Sequence, residues 1–483
     1  MVESPRAGRE RAPLTARQKQ VLALVCVGVF MGALDGSIVN VAFPTLSRVF
    51  SVRIPAVGWV SEVYLLTTTA LVTIFGRLSE RWGNRTIYLT GFAGFLIGSA
   101  LSGAAGSFGW LVAFRAFQAV GASMLVANSV AILAQELPRG RLGTALGVLE
   151  ASVSAALVVG PALGGVLIQA LGWRWIFYVN VPVALGAMGW AARLLAPRSG
   201  GAHRAAFDWG GTVGLGMGLG ALLWGINALP TGAPLAVWLL PTASGALMLG
   251  GLVWWENQVR DPMLDLNLFR RRAFAAAAVA KVFAYATMFA ATLLVPFYLQ
   301  DRLGFRPAHV GALMVPMPVA LAAGSLAGGP ASDRVGSRLL APLGLVVAMA
   351  GTALFSWVSP GRGVGVLVAA GAGLDLGLGA FIVANDRIIM HSAPPEKAGT
   401  ASGVLAMMRS IGMVLGLALG ATAFAGWQGA LVHQGWPASA AFVAAFHWVL
   451  LAAVGALGAG LSLTLVPPDP APPLAPAKVP EEG

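Results

Sequence analysis

Charge is what this sequence has least of. Only 10% of its 483 residues are Asp, Glu, Lys or Arg, whereas a protein dressed for water carries about 25%. A water-soluble fold is excluded, and 57% hydrophobic residues imply a surface that contacts lipid. The one cysteine, Cys26, rules out a disulfide within the chain and leaves redox compartment unread. The five histidines are scattered, no two of them at metal-ligand spacing, so no metal site is expected. No glycine-rich loop ending in Lys-Ser or Lys-Thr is present to cradle ATP phosphates. The run Gly214, Gly216, Gly218, Gly220 lies inside an apolar stretch and reads as helix packing. No cofactor and no enzymatic activity are therefore expected, and any work done must draw on an ion gradient.

What is present is a repeat. Gly76-Arg77-Leu78-Ser79-Glu80-Arg81-Trp82-Gly83-Asn84-Arg85 returns as Gly329-Pro330-Ala331-Ser332-Asp333-Arg334-Val335-Gly336-Ser337-Arg338. Both copies read Gly, two residues, Ser, an acid, Arg, one residue, Gly, one residue, Arg. Each follows one long apolar run and leads straight into another. A bilayer is crossed by about 20 apolar residues, and fourteen such runs can be drawn. They divide the chain into a tail (1–20), a six-helix bundle (21–195), an inserted two-helix hairpin (209–255), a second six-helix bundle (273–465) and a disordered tail (466–483). Pro44 and Pro296, near the ends of the first and ninth runs, recur at nearly the same offset. The halves therefore read as parallel repeats about an axis along the membrane normal.

The net charge of +12 could suggest a nucleic-acid partner, but the placement of the charges excludes it. Of the 31 basic residues, six (Arg48, Arg53, Arg174, Arg302, Arg306, Arg362) fall on the outer side and three (Arg115, Lys281, Arg409) within spans. The rest fall on the inner side, together with both repeated loops. The positive-inside rule then places both termini in the cytoplasm. The expected location is the inner membrane of a bacterium.

At this point the motifs resemble a known family. The paired loop is similar to the hallmark loop of the major facilitator superfamily. Gly160-Pro161-Ala162-Leu163-Gly164-Gly165 in span 5 resembles the signature of its antiporters, and Arg115-Ala116-Phe117-Gln118-Ala119-Val120-Gly121 resembles its span 4 element. Leu34-Asp35 with Asn40 in span 1, and the segment from Trp173 to Pro182, look like the fourteen-span drug:proton antiporters in particular. The resemblance covers all fourteen spans. Three residues depart from it: Glu80 for Asp, Ala119 for Gly, and Glu62 where a small or hydroxyl residue is usual. The resemblance implies a monomeric, proton-coupled exporter of small amphipathic compounds working by alternating access, with lipid and protons as its other partners.

Individual residues acquire roles within that frame. Asp35 lies about 12 Å and Arg115 about 9 Å below the outer ends of their spans, well placed to pair. A charge in mid-span costs at least about 2.5–3.5 kcal/mol, so each needs a partner or a cavity. Asp35 is the expected proton carrier, tuned by Arg115, against the alternative of a static ion pair. Glu62, about 9 Å below the outer face, is either an acid that attracts a lipophilic cation or carries a second proton, or a headgroup-level acid in contact with water. Glu150, about 12 Å above the inner face, is expected to be functional. The substrate cavity is expected to be lined by Asp35, Asn40, Gln118, Glu150, Lys281, Asp375 and Arg409, with Lys281 or Arg409 neutralising Asp375. Gly160, Pro161, Gly164 and Gly165 are expected to form a tight seam that favours exchange over leak. Gly76 and Gly83, with Gly329 and Gly336 in the second copy, are expected to provide close packing and a turn. Glu80 is expected to hold a helix N-terminus or Arg81 and Arg85, and Asp333 likewise Arg334 and Arg338. Lysine and arginine in the cavity leave open an exporter of a lipid, siderophore or anionic metabolite. A non-transporting receptor or scaffold is the remaining alternative.

Overall fold

A backbone in hydrocarbon must satisfy its own hydrogen bonds, which within one segment only a helix does. The computed structural model describes residues 14–196, 209–231, 234–259, 266–359, 361, 363–394 and 397–467, and among them all regular structure is helical. Most of the two expected tails, and Arg362 of the outer basic set, lie outside the described residues.

Among the described residues, fourteen long helices follow one another. The first half comprises α1 (Ala16–Phe50), α2 (Ile54–Trp82), α3 (Asn84–Ala104), α4 (Phe108–Glu136), α5 (Arg139–Leu171) and α6 (Trp175–Leu194). The hairpin is α7 (Trp209–Ala228) and α8 (Leu235–Glu256). The second half comprises α9 (Arg272–Arg302), α10 (Pro307–Val335), α11 (Ser337–Trp357), α12 (Val364–Ser392), α13 (Ala398–His433) and α14 (Ala438–Thr464). α1 begins five residues earlier than its apolar run, because Thr15 and Gln18 form a capping box that satisfies exposed N–H groups at its start.

The repeat is visible in the packing. In the first half α3 lies on α4, α2 on α4, α1 on α5 and α3 on α6; in the second, α11 lies on α12, α10 on α12, α9 on α13 and α11 on α14. The two prolines act at equivalent places. A short 3-10 stretch, Val39–Ala42, precedes Pro44, and a π-turn, Tyr298–Arg302, follows Pro296. Each proline lacks an N–H for the helix ladder, and each helix changes its winding there.

The halves meet mainly at the end opposite the repeated loops. α5 packs heavily on Pro307–Met314 of α10 and only lightly on the rest of that helix, and α1 reaches α9 only through its last stretch, residues 39–50. There Arg48 Nη2 donates to Gln300 Oε1 at 2.9 Å and Gln300 Nε2 to the Val41 carbonyl at 3.0 Å. The hairpin covers one side of the junction. α7 packs against both α2 and α13, and Leu215, Leu219 and Leu223, one turn apart on one face, form with Leu66, Val414 and Ala418 a hydrophobic cluster of their own.

Candidate functional site

Asp35 continues the buried stripe of α1, after Met31 and Leu34, so its carboxylate points into the first bundle. Arg115 projects from α4 to meet it, Nη1 on Oδ2, and neither side chain has any solvent exposure. Removing two charges from water costs several kcal/mol per ion unless the remaining polar atoms are satisfied. Here almost all are. Gln118 Nε2 donates to Asp35 Oδ1 at 2.9 Å, and Asn180 Nδ2 donates to the same oxygen at 3.0 Å. Arg115 Nη1 also donates to Gln118 Oε1 at 2.8 Å, and its Nε donates to the Val60 carbonyl at 3.1 Å. Ser99 Oγ accepts from both amides at 3.3 Å and donates to the Phe177 carbonyl at 2.8 Å. The Tyr64 ring lies 4.3 Å from the Arg115 guanidinium carbon, a cation–π contact. Among the described residues, Arg115 Nη2 has no hydrogen-bond partner.

The knot therefore draws on α1, α2, α3, α4 and α6. Depth in the sequence indicated Asp35 and Arg115 as candidates and the family resemblance indicated Gln118, but neither indicated a role for Ser99, Tyr64 or Asn180. Asn180 carried a signal, an amide within an apolar run; Ser99 carried none. Asp35 and Gln118, expected to line the cavity, are closed off inside the bundle at 0% exposure. Asn40, 9% exposed, stands in the 3-10 stretch that touches α5, α9 and α10.

Glycines of α5 touch both halves. A side chain at Gly160 would collide with Ser37 of α1, and one at Gly164 would come within 2.8 Å of the Ile38 carbonyl. One at Gly165 would meet the Pro307 carbonyl of α10, while the Pro161 carbonyl lies against Gly311. Small residues at this spacing let helix backbones approach where no hydrophobic effect drives them together.

The second half differs from expectation. Lys281 Nζ pairs with Asp386 Oδ1 at 2.6 Å, not with Asp375. Lys281 is nine residues from the start of α9 and Asp386 six from the end of α12, hence at about 13 and 9 Å along the bundle from the same end. Asp375 is about 25 Å from that end by the same rise, beyond a lysine's reach. Asp375 is buried, and its carboxylate has no ion pair among the described residues. Arg409 and Glu150 are both exposed, and both lie in electrostatic range of Lys281 and Tyr285. Four charges from α5, α9, α12 and α13 thus gather between the halves.

Glu62 is not a headgroup-level acid. It is fully buried, because the inserted hairpin covers it, and Asn227 Nδ2 of α7 donates to its Oε2 at 3.0 Å. Thr422 Oγ1 of α13 donates in turn to Asn227 Oδ1 at 3.3 Å. This chain links the first half, the insertion and the second half. Glu62 Oε1 has no hydrogen-bond partner among the described residues.

In the repeated loops, Gly83 and Gly336 adopt matching positive φ values of 85° and 84°, a conformation glycine tolerates without strain. Gly76 and Gly329 have open space where a side chain would go, so close packing is not their role. The acids bypass their own arginines. Asp333 accepts from Arg387 of α12 at 2.5 Å, and Arg85 donates to the Ala192 carbonyl of α6 at 2.9 Å. Glu80, Arg81, Arg334 and Arg338 take part in no ion pair among the described residues; Glu80 lines a cavity of about 480 Å³ beside α4.

Comparison with known proteins matches this architecture. The model of the Major Facilitator Superfamily matches residues 25–417 and 278–482. A riboflavin transporter of Clostridioides difficile is 30% identical over 84% of this chain and 88% of its own. A tetracenomycin C resistance and export protein of Streptomyces glaucescens is 31% identical over 84% and 76%. A multidrug resistance protein of Mycobacterium tuberculosis is 31% identical over 86% and 78%. Among solved structures, a bacterial homolog of the human lysosomal transporter Spinster, inward-facing and unoccupied, is similar in fold. Its TM-score is 0.70 at 14% identity, covering 94% of this chain and 97% of that one. With two six-helix bundles repeated in parallel and this match across the chain, the protein belongs to the major facilitator superfamily.

Proposed function

We propose that the protein is a proton-coupled antiporter that exports small amphipathic compounds across the cytoplasmic membrane. The observation that carries this reading is the Asp35–Arg115 pair, wholly enclosed yet held by polar groups from five helices. A static brace could be built more cheaply from apolar residues. A carboxylate with a guanidinium and two amides around it can instead exist in two arrangements, ion-paired or protonated and released. Because its partners sit on separate helices, protonating Asp35 would loosen the whole bundle.

Reading the arginine-rich end as cytoplasmic, the halves touch at the outer side, and the charges between them face the cytoplasm. Cargo would enter there. Protonation of Asp35 from outside, after the halves rock, would return the transporter for the next cycle. The α5 glycine seam is the pivot this motion needs, since it holds backbones of α1, α5 and α10 close together. The names of the export and resistance relatives support the direction of transport.

In proteoliposomes with an imposed proton gradient, ethidium should move against its own gradient, and an uncoupler should stop it. Transport unaffected by the uncoupler would contradict the proposal. A second reading keeps the fold and changes the cargo to an anionic or zwitterionic metabolite. Lys281 and Arg409 between the halves favour it, as does the riboflavin transporter among the relatives. Binding of a cationic and an anionic compound series separates the two.

A further inference from the structure

The two repeated loops meet different surroundings, and the difference leaves a space. In the second half the loop acid, Asp333, accepts from Arg387 of α12 at 2.5 Å. The counterpart of α12 in the first half is α4, and both helices are 29 residues long. The last residue of each is reached in the same way, by a side chain at the start of the first helix of its half. Gln18 Nε2 donates to the Glu136 carbonyl at 3.1 Å, and Arg271 Nη1 to the Ser392 carbonyl at 2.8 Å. This shared hydrogen bond fixes the register of α4 on α12. In that register Ala131 stands where Arg387 does, 23 residues after the first residue of its helix. The first half thus has a methyl group where the second has a guanidinium.

The cavity of about 480 Å³ beside α4 lies between that methyl group and the loop. Gly76, Glu80, Asn84, Ala131, Ala134 and Gln135 line it, and no lysine or arginine does. Glu80, the loop acid of this half, has no ion pair among the described residues. Of the loop's own arginines, Arg85 is committed to the Ala192 carbonyl. The cavity is therefore an alanine-walled slot with one carboxylate and room for the cation that the other half supplies from α12. What lies next to it is the start of the chain. Arg17 Nη1 holds Glu136 Oε2 at 3.0 Å, and Gln18 holds the same residue's carbonyl. The chain therefore enters α1 beside the last turn of α4, next to the slot's Gln135 and about 7.5 Å along that helix from Ala131. Residues 1–13 lie outside the described residues, and they carry Arg6, Arg9 and Arg11. At about 3.3 Å per residue, Arg11 falls within about 10 Å of Leu14 and Arg9 within about 17 Å.

We propose that this slot is the docking site of the N-terminal segment 1–13, with one of its arginines against Glu80 in the place that Arg387 fills beside Asp333. An exposed ion pair alone contributes little. Here the alanines of α4 cover the aliphatic stem, and the tether keeps the arginines near the slot at an effective concentration in the millimolar range. The contact is accordingly weak enough to come apart. The two loops are then braced differently: the second permanently, from within its own bundle, and the first by a segment that can leave. The inference is read from the repeat and the slot, and does not depend on the cargo or on proton coupling.

The test is a distance, not transport. Full-length protein with Cys26→Ser carries spin labels at Ala7→Cys and at Trp82→Cys, a position that is exposed and does not line the slot. The distance distribution is measured by pulsed electron paramagnetic resonance in phosphatidylcholine nanodiscs. A narrow short-distance peak is expected. It should be lost with Glu80→Gln, an exposed change that leaves the fold intact, and with Arg6, Arg9 and Arg11 all replaced by glutamine. Ala131→Arg, which supplies from α4 the group that α12 supplies in the other half, should abolish it as well. A single broad distribution in the protein without these changes, or a narrow peak that survives any one of them, would overturn the proposal. A peak lost on adding phosphatidylethanolamine would also overturn it, since a lipid amine would then hold the slot. The same holds if a label at Ala202→Cys gives the Glu80-dependent peak in place of one at Ala7→Cys.

Discussion

The two halves share a packing plan and differ in what they do with charge. In the first, Asp35 and Arg115 are sealed in the bundle, with every oxygen of the carboxylate engaged. In the second, Lys281 is buried at 4% side-chain exposure, yet its partner Asp386 keeps 34%, and Arg409 stands exposed nearby, as does Glu150 across the junction on α5 of the first half. Helix contacts and loop conformation recur in the two halves, whereas the polar groups do not. The first half holds an ion pair away from water, whereas the charges at the junction, most of them from the second half, keep partial exposure. The division of labour proposed above, proton in the first half and cargo beside the second, rests on that contrast.

The contrast breaks most severely at the knot. Arg115→Gln should cost about 3–5 kcal/mol, since Asp35 would be left buried and unpaired; thermal melting in detergent measures it. The double variant Asp35→Asn with Arg115→Gln removes both charges, and should regain most of that stability while remaining unable to couple transport to protons. Recovery of stability together with coupled transport would make the pair a brace.

A smaller effect is expected at the junction of the halves. Gly165→Val puts a side chain against the Pro307 carbonyl and should hold the outer ends apart. A cysteine placed at Asn40, a position now 9% exposed, should then react with a membrane-impermeant thiol reagent from outside, and transport should fall at least tenfold.

Next comes the second half. Asp386→Asn leaves Lys281 buried without its partner but with water close by. A loss of about 1–3 kcal/mol is expected, together with a shift of cargo preference toward anions, read from the two compound series. The smallest effect belongs to the loop: Arg387→Ala removes a pair whose side chains are 36% and 68% exposed, so stability should change by about 0.2–1 kcal/mol.

How much of this was legible in the sequence follows from the physics of each feature. Fourteen apolar runs and a doubled loop are local patterns, and the helices and the repeat lie where those patterns put them. Asp35 and Arg115 were legible as a pair because matching depth on spans of one half is arithmetic in residues. Ser99 and Asn180 were not, because a small hydroxyl or an amide in a membrane helix has many uses and only packing selects one. The Asp375 pairing was misread because two residues can both be near mid-depth and still be a dozen ångströms apart. Glu62 was misplaced for another reason. Its depth was read from α2 alone, whereas its burial comes from α7, a helix some 150 residues away in sequence whose docking against α2 no local pattern encodes.

The most direct test of the central claim is to follow protons themselves. Proteoliposomes containing a pH-sensitive dye are given an outward substrate gradient at equal pH on both sides. The account predicts a counterflow of protons with the wild-type protein and none with Asp35→Asn, at equal amounts of folded protein. Undiminished substrate-driven proton movement in Asp35→Asn would contradict it.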